Sequence, residues 1–246
     1  MALTIPTPGI FWANSGVLPS QKPILPYETY VKWYEEVHIP DWMAAKPGAI
    51  TAAWRYQSLD PDRTLPFLVT YKYPDFTDLN APEFSRVSLS HPLLPEGKPV
   101  NQLAQFEVLS GSHLETWRAV TTGDERGPLL VTETIDPGTI STAQINTWYQ
   151  ETYINEIVKI EGWRRTSRFD GGSTRQPKWF ALHEFEDGGF FGNNSTKISG
   201  LLGGSVGPKD GERLIKKADL ALWKLVRVYG NSSDGWGNGE DEIIGM

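Results

Sequence analysis

Residues 33–41 of this chain read Trp-Tyr-Glu-Glu-Val-His-Ile-Pro-Asp, and residues 148–156 read Trp-Tyr-Gln-Glu-Thr-Tyr-Ile-Asn-Glu. At an offset of 115, both stretches contain a Trp-Tyr pair, a glutamate, an isoleucine and a final acidic residue. His38 of the first stretch is replaced by Tyr153 in the second. The similarity predicts an internal duplication, with the same helix in each half.

Two later matches extend the duplication along the chain. Gly48 matches Gly162 at an offset of 114, and Pro66 matches Pro177 at an offset of 111. The offset changes by only a few residues, as it does when two copies differ in the length of their loops. We therefore predict that the two halves fold alike.

Hydrophobic patterning predicts the same order of elements in both halves. One helix begins after Pro26, a residue that suits a first turn. Another begins at Ser141, three residues before Gln144, which is the spacing of a capping box. Gly48 and Gly162 end the helical regions, and a less regular stretch with a second helix precedes the last strand of each half. The predicted strands are residues 9–17, 50–57, 65–73 and 103–109, then 129–135, 163–169, 179–185 and 220–229.

The element order βαββαβ, occurring twice, is that of the ferredoxin-like unit. One such unit leaves one face of its sheet uncovered, and two units can hide these faces against each other. We therefore predict an α+β fold of two ferredoxin-like repeats packed sheet to sheet as a pseudo-dimeric α/β barrel, with alternate strand residues lining a lumen. The repeats are assigned to residues 1–120 and 128–230, and residues 231–246 to a mobile tail.

The composition excludes several classes of protein. The 246 residues include no cysteine, which excludes disulfide scaffolds, cysteine-ligated zinc, iron–sulfur clusters and thiol catalysis. A net charge of −7 argues against nucleic-acid binding, which needs a basic surface. No apolar stretch is long enough to span a bilayer and no secretory signal is recognised, so we expect a cytoplasmic protein that does not bind membranes.

No sequence motif indicates a cofactor. The four histidines lack the His-x-x-x-His spacing of a zinc site. The glycine-rich residues 188–211 lack the Gly-Lys-Ser/Thr ending of a phosphate-binding loop. We therefore expect no metal, flavin or nicotinamide, and a small molecule as the partner. Whether two chains pair as a homodimer is left open.

His38 is the strongest candidate for acid–base chemistry, because an imidazole can donate and accept a proton near neutral pH. Asp41, three residues later, or Glu35, three residues earlier, could orient the ring. The alternative is that His38 ends the helix, where the helix dipole favours a cation. His183 shares a strand face with large aromatic residues and is either a second proton-transfer or substrate-binding group or a structural histidine.

The pattern Trp33-Tyr34 followed by His38-x-Pro40 resembles the first helix of the EthD-like branch of the dimeric α/β-barrel superfamily, in a tandem single-chain form of the fungal type. The resemblance implies a cofactor-independent dehydratase, cyclase, isomerase or decarboxylase that acts on a small apolar or aromatic secondary metabolite. His38 would be the acid/base group and Asp41 its orienting partner. The implied substrate-binding residues are Tyr34, Trp54, Tyr56, Tyr71, Tyr153, Trp179 and His183.

Two other functions fit the same resemblance. Related barrels oxidise electron-rich aromatic compounds, so a cofactor-free monooxygenase is the first alternative. The second is a non-catalytic small-molecule binding or stress protein that uses the same cavity. Oxygen consumption would separate the first alternative from acid–base chemistry, and tight binding without turnover would indicate the second.

Overall fold

The computed structural model of the protein describes residues 6–123, 125–136, 141–172, 178–186, 217–231 and 242–244. The chain divides into two compact units. Unit 1 comprises Met1–Ser112 and Leu225–Trp236, and unit 2 comprises His113–Lys224 and Gly237–Met246. The division into repeats at 1–120 and 128–230 stays a prediction, as does the mobile tail at 231–246, most of which lies outside the described residues.

Unit 1 is built on an antiparallel sheet. Its strands are β1 (Gly9–Val17), β2 (Ala52–Ser58), β3 (Phe67–Tyr73) and the first part of β4 (Ala104–Ala119). β1 is central, because it pairs with β3 on one side and with β4 on the other, while β3 also pairs with β2. All seven residues of β3 are buried. Burial on both faces explains why this strand reads as a nearly continuous run of apolar and aromatic residues.

Unit 2 shows the same pairing pattern. Its strands are β5 (Leu129–Asp136), β6 (Trp163–Asp170), β7 (Trp179–Phe185) and the first part of β8 (Lys217–Gly230). β5 pairs antiparallel with β7 and with β8, and β7 also pairs with β6. A short strand, β9 (Glu242–Ile244), pairs in parallel with β4. The predicted strand positions are confirmed to within a few residues, except that β4 continues ten residues beyond its predicted end at 109.

The main helix in the described part of each unit passes through a π-helical turn. In unit 1 the helix consists of α1 (Tyr27–Trp33), π1 (Tyr34–His38) and α2 (Ile39–Ala44). In unit 2 it consists of α3 (Thr142–Trp148), π2 (Tyr149–Tyr153) and α4 (Ile154–Ile157). The two π turns begin and end 115 residues apart, which is the offset of the sequence repeat.

The helix of unit 1 does not end at His38, although a proline follows two residues later. It continues to Ala44. In the π turn the N–H of Ile39 donates to the carbonyl of Tyr34, five residues earlier. This wider turn accommodates Pro40, which lacks an N–H and would clash with the preceding turn of a regular α-helix. The alternative that His38 caps a helix C-terminus is therefore wrong.

The helix boundaries predicted by capping residues are confirmed in unit 2. The side chain of Ser141 accepts a hydrogen bond from the N–H of Gln144, and the Gln144 side chain bonds back to the Ser141 backbone. Gly48 and Gly162, which follow the two helices, have φ angles of +83° and +79°. Glycine is the residue best suited to this left-handed conformation. None of the helices in the described part of the chain has the length and apolar character needed to cross a membrane.

The predicted fold class, two ferredoxin-like repeats packed sheet to sheet as a pseudo-dimeric α/β barrel, is wrong. The strands join in one sheet of order β1-β3-β2-β8-β5-β7-β6-β4-β9, and β1 also pairs with β4. Eight strands therefore form a closed antiparallel sheet, and helices among the described residues are few and short. The sequence pattern could not reveal this, because β2–β8 and β6–β4 pairing joins strands that are far apart in the chain.

The second helix predicted for the first half does not form. Between β3 and β4 the chain makes short 3₁₀ turns, which are Phe76–Asn80, Phe84–Arg86, Pro95–Gly97 and Val100–Gln102. Pro82, Pro92, Pro95 and Pro99 lie in this connection, and proline removes the hydrogen bond and the space that a helix interior needs. The corresponding stretch of the second half falls mainly on residues 187–216, outside the described residues.

Candidate active site

Unit 1 contains a cavity of about 180 Å³ beside its sheet and helix. The lining contains no aspartate, glutamate, lysine or arginine. The lining residues are Phe11 and Ala13 of β1, Tyr34, His38 and Trp42 of the helix, Tyr71 of β3, Phe106 and Val108 of β4, and Leu89, Val100 and Asn101 of the preceding connection. Three residues predicted from the sequence, His38, Tyr34 and Tyr71, therefore lie together.

Aromatic rings surround His38. Its imidazole stacks on Trp33, with 4.8 Å between the ring centroids, and on Tyr34, with 5.4 Å between them. Trp42 contributes a third ring at 6.0 Å. The three rings come from the same helix as His38, and Tyr34 and Trp42, four residues before and four after it, line the cavity with it. They exclude water from most of the imidazole.

His38 has no polar partner within the part of the chain that the structure describes. No hydrogen bond to either of its ring nitrogens is found among the described residues, and its Nδ1 atom is inaccessible to solvent. Nε2 is therefore the nitrogen that a ligand in the cavity can reach. Burial lowers the pKa of His38 from 6.5 to about 4, so the ring is neutral near pH 7. A neutral imidazole can accept a hydrogen bond or a proton from a bound molecule.

The two tyrosines of the cavity are hydroxyl donors. Burial raises the pKa of Tyr34 to about 12, and burial together with neighbouring tyrosines raises the pKa of Tyr71 well above its ordinary value. Both side chains are therefore protonated at neutral pH. The cavity thus combines one neutral base with two phenols and no charged group.

The carboxylates considered as orienting groups do not contact His38. Asp41 is exposed, and no hydrogen bond joins it to His38 among the residues that the structure describes. Glu35 is held elsewhere, because its carboxylate lies 3.2 Å from Nε of Arg55 and 3.3 Å from a guanidinium nitrogen of Arg227. The orienting role of Asp41 stays a prediction with no contact to support it.

Trp54 and Tyr56 are buried on β2 but do not line the cavity. They alternate with Arg55, which is directed to Glu35 on the helix. Because successive side chains of a strand point to opposite faces, Trp54 and Tyr56 face away from the helix. Their contact with a substrate stays a prediction.

Unit 2 contains a buried hydrogen-bonded network around His183. Nε2 of His183 lies 2.8 Å from Oε2 of Glu133, and Nδ1 lies 3.0 Å from Oγ1 of Thr166. The indole N–H of Trp163 donates to the same Thr166 oxygen at 2.9 Å. Since an indole can only donate, the Thr166 hydroxyl proton is free for Nδ1, and the N–H at Nε2 donates to Glu133. Both nitrogens of His183 are therefore engaged.

Two buried tyrosines lie beside this network, close to Glu133. Burial raises the pKa of Tyr149 and of Tyr153 well above the ordinary value, and the nearby Glu133 carboxylate raises both further. The Tyr153 ring lies edge-on to His183 at 6.0 Å. Trp179 is also buried in unit 2, and Nζ of Lys178 lies 4.3 Å from the centroid of its ring. Substrate binding by Tyr153, Trp179 and His183 stays a prediction.

Each unit has an imidazole and a phenol, one on the helix and one on a strand, and the two groups have exchanged positions between the units. The π turns end at His38 in unit 1 and at Tyr153 in unit 2. The fifth residue of β3 is Tyr71, whereas the fifth residue of the equally long β7 is His183. Unit 1 thus places imidazole on the helix and phenol on the strand, and unit 2 does the reverse.

A further difference lies on the neighbouring strands. Ala13 is two residues beyond the β1 residue that pairs with Tyr71, and Glu133 is two residues beyond the β5 residue that pairs with His183. Ala13 therefore corresponds to Glu133. The carboxylate engages the imidazole in unit 2, whereas the methyl group of Ala13 borders the open cavity in unit 1.

Sequence reasoning missed Ala13, Trp42 and Glu133. Glu133 had a signal, because it is an acidic residue within the otherwise uncharged run Leu-Leu-Val-Thr-Glu-Thr-Ile at 129–135. Trp42 also had a signal, because it lies four residues after His38 within the helical region that was predicted to end at Gly48. Ala13 had no signal, since a small side chain marks a cavity only when its neighbours are known.

The described residues contain no group of three or more histidine, aspartate or glutamate side chains placed to hold a metal ion. His38 stands alone among aromatic rings, and His183 has one carboxylate neighbour. The absence of a cofactor stays a prediction from the sequence.

Comparison of sequences finds no matching family model and no matching curated protein. Comparison of structures finds several proteins with a similar fold. A presumed monooxygenase from Fusobacterium nucleatum subsp. nucleatum is 12% identical, with a TM-score of 0.56 over 93% of this chain and 97% of that chain. A chlorite dismutase variant from Candidatus Nitrospira defluvii is 10% identical, with a TM-score of 0.58 over 92% and 93% of the two chains.

An anthrone oxidase-like protein is also similar, with 10% identity and a TM-score of 0.52 over 91% of this chain and 92% of that chain. At these identities the likeness is one of fold alone. Membership of a tandem EthD-like family remains a prediction from the sequence motif. The chain therefore has the fold of these monooxygenase-like and chlorite dismutase proteins.

Proposed function

We propose that this chain is a cofactor-free monooxygenase that oxidises a small aromatic substrate in the cavity of unit 1. The observation that carries the proposal is the state of His38, a neutral imidazole with an unengaged Nε2 inside an aromatic, uncharged cavity. Such a group can accept the proton that a phenol releases when it is oxidised. The names of two proteins of similar fold, a monooxygenase and an anthrone oxidase-like protein, favour oxidation over the dehydratase, cyclase, isomerase or decarboxylase reactions implied by the sequence motif.

The proposed reaction needs dioxygen as its co-reactant. A substrate phenol donates a hydrogen bond to Nε2 of His38 and loses one electron to dioxygen, which becomes superoxide. The phenol proton moves to Nε2 in the same step, and a weak base suffices because an oxidised phenol is a strong acid. The phenoxyl radical and superoxide then combine, forming a carbon–oxygen bond at a ring carbon that carries hydrogen.

The second half of the reaction returns the proton. His38 protonates the peroxide anion to give a hydroperoxide, and the oxygen–oxygen bond then breaks with loss of the hydrogen on the same carbon. One dioxygen is consumed, and the products are a quinone and one water. The hydroxyls of Tyr34 and Tyr71, which stay protonated, supply donors for the anion that forms in the cavity.

The proposal is tested with a panel of electron-rich phenols that includes 1-naphthol. Oxygen uptake is recorded with an electrode, and mass spectrometry shows whether the product has gained one oxygen atom and lost two hydrogen atoms. Replacing His38 by glutamine is expected to lower kcat by about 10²–10⁴-fold, the usual effect of removing an acid–base group. Folding of the variant is checked by its thermal melt.

Tyr153→Phe is the matched control, because Tyr153 occupies the position of His38 in the other unit. We expect this variant to keep kcat within about threefold, far less than the loss of an acid–base group. Wild-type turnover in folded His38→Gln would refute the role of His38. A larger defect in Tyr153→Phe would mean that the working site lies in unit 2. If a phenol binds tightly but the protein consumes no oxygen with any phenol of the panel, the result would indicate a binding protein.

A further inference from the structure

We infer that the cavity of unit 1 selects uncharged phenols that have either a single ring or two fused rings. Ala13 is the residue that sets this size limit. The inference rests on the function proposed for the same cavity and adds the substrate class to it. Three features of the described residues carry it: the uncharged lining, the cavity volume, and the contrast between Ala13 and Glu133.

The lining disfavours charged ligands. Its described residues include no aspartate, glutamate, lysine or arginine, and His38 is neutral because burial lowers its pKa. A carboxylate or an ammonium group that entered would lose its hydration without gaining a counter-charge. A phenol meets no such penalty, since its hydroxyl can donate to Nε2 of His38 and accept from Tyr34 or Tyr71.

The volume limits the number of rings. An apolar cavity of about 150 Å³ in another protein binds one benzene molecule. The cavity here measures about 180 Å³, and Leu89, Asn101 and Val108 of its lining are exposed, which we take as the side on which it opens. One ring fits inside, and a second fused ring fits toward the opening. Three linear rings exceed the space.

Ala13 leaves this space open. In unit 2 the corresponding Glu133 is fully buried, and its carboxylate lies against the imidazole of His183. In unit 1 the side chain of Ala13 is a methyl group, and the cavity lies in front of it. Any larger side chain at position 13 would extend from β1 into the cavity, because the flanking strands β3 and β4 fix the direction of the strand's side chains.

The first test measures binding to the wild-type protein by calorimetry without oxygen, so that no turnover occurs. The probes are phenol, 1-naphthol, the three-ring anthrone and the charged 1-naphthoate. We expect 1-naphthol to bind most tightly, and anthrone and 1-naphthoate to bind at least about tenfold more weakly. Equal affinity for anthrone would overturn the size limit, and equal affinity for 1-naphthoate would overturn the selection of uncharged ligands.

The second test changes the size of the cavity. In Ala13→Leu, the Kd of 1-naphthol should rise about tenfold or more while that of phenol stays within about threefold. Phenol is the internal control in the same variant, because a single ring needs less of the space that the leucine side chain would fill. Equal weakening of phenol and 1-naphthol in Ala13→Leu would overturn the role of Ala13.

A third variant keeps the proposal testable if Ala13→Leu does not fold. Phe106→Ala removes a ring of the lining on β4, the strand that pairs with the Ala13 strand, and should improve anthrone binding about tenfold relative to 1-naphthol. No relative gain would overturn the size limit. If the probes bind as expected but no phenol consumes oxygen, the substrate class stands and the proposed oxidation fails.

Discussion

At the scale of the residue, the surroundings of each imidazole decide what it can do. His183 has both ring nitrogens in hydrogen bonds, to Glu133 and to Thr166, and is fully buried. His38 has no hydrogen bond among the described residues and faces a cavity. The first is held by its partners, and the second is available to a ligand. This contrast is the reason for placing the chemistry at His38.

The lowered pKa of His38 predicts a pH-dependent stability. In the unfolded chain the imidazole has its ordinary pKa near 6.5, whereas burial in the native protein lowers it to about 4. Between these values the unfolded state binds a proton that the native state does not. The free energy of unfolding should therefore fall as the pH decreases from about 6.5 to about 4, by about 1–3 kcal/mol, and this contribution should level off below that range.

The measurement is urea unfolding of the wild type and of His38→Gln at several pH values between about 4 and 6.5. Other titrating groups contribute equally to both proteins and cancel in the difference. The wild type should lose 1–3 kcal/mol more than the variant, to the accuracy of about half a kcal/mol that such comparisons allow. Parallel curves for the two proteins would contradict the buried, neutral state of His38.

At the scale of the element, the π turn is a property of both helices and not a result of proline. Unit 1 has Pro40 after its π turn, whereas unit 2 has Asn155 at the equivalent position and forms the same turn. The side-chain amide of Asn155 donates to the carbonyl of Glu151 at 2.8 Å, so the polar groups of this turn are satisfied in another way. His38 and Tyr34 are four residues apart on this helix, a spacing that makes them neighbours, and both line the cavity.

A buried ion pair ties the segment before β5 to β7. The pKa of Glu184 is raised by burial but lowered overall by Arg126, Arg165 and the N–H of Gly127, which donates to its carboxylate at 2.8 Å. Glu184→Gln leaves two buried guanidinium groups without this carboxylate. We expect a loss of about 3–5 kcal/mol in the free energy of unfolding, measured by urea unfolding.

Asp78→Asn is the control for this prediction. Asp78 pairs with Lys46 at a partly exposed site in unit 1. Removing its charge should cost less than about 1 kcal/mol, because water screens an exposed pair. Similar losses in Asp78→Asn and Glu184→Gln would show that burial of the Glu184 pair does not govern its contribution.

At the scale of the whole molecule, the duplication has kept the backbone and changed the side chains. Both units have a helix with a π turn and a central strand paired on both sides. Imidazole and phenol have exchanged positions between helix and strand, and a carboxylate stands in unit 2 where unit 1 has Ala13. In unit 1 the imidazole faces a cavity, and in unit 2 it is hydrogen-bonded to Glu133 and Thr166.

The protein should therefore work without a resident cofactor. The sequence has no cysteine and no histidines at ligand spacing, and the two buried histidines belong to different units. Metal analysis and the visible absorption spectrum of the purified protein are expected to show less than one equivalent of metal, flavin or haem. A stoichiometric cofactor that is required for oxygen uptake would contradict the reaction proposed for His38.

The sequence by itself determined the local structure of this protein. The duplicated Trp-Tyr stretch predicted matching helices, the Ser141 capping box and Gly48 marked helix boundaries, and alternating apolar residues located the strands. These features depend on neighbouring residues, so they can be predicted from a short stretch of chain. The aromatic surroundings of His38 were also partly predictable, because Trp33 and Tyr34 lie on the same helix.

The tertiary structure alone decided the closed sheet and the difference between the two units. Pairing of β2 with β8 and of β6 with β4 depends on long-range contacts that leave no local pattern. The partner of His183 is Glu133, fifty residues away, and the space at His38 exists because Ala13 of another strand is small. Hydrogen bonding, burial and cavity volume are properties of atoms brought together by folding, and these properties separate the unengaged imidazole from the engaged one.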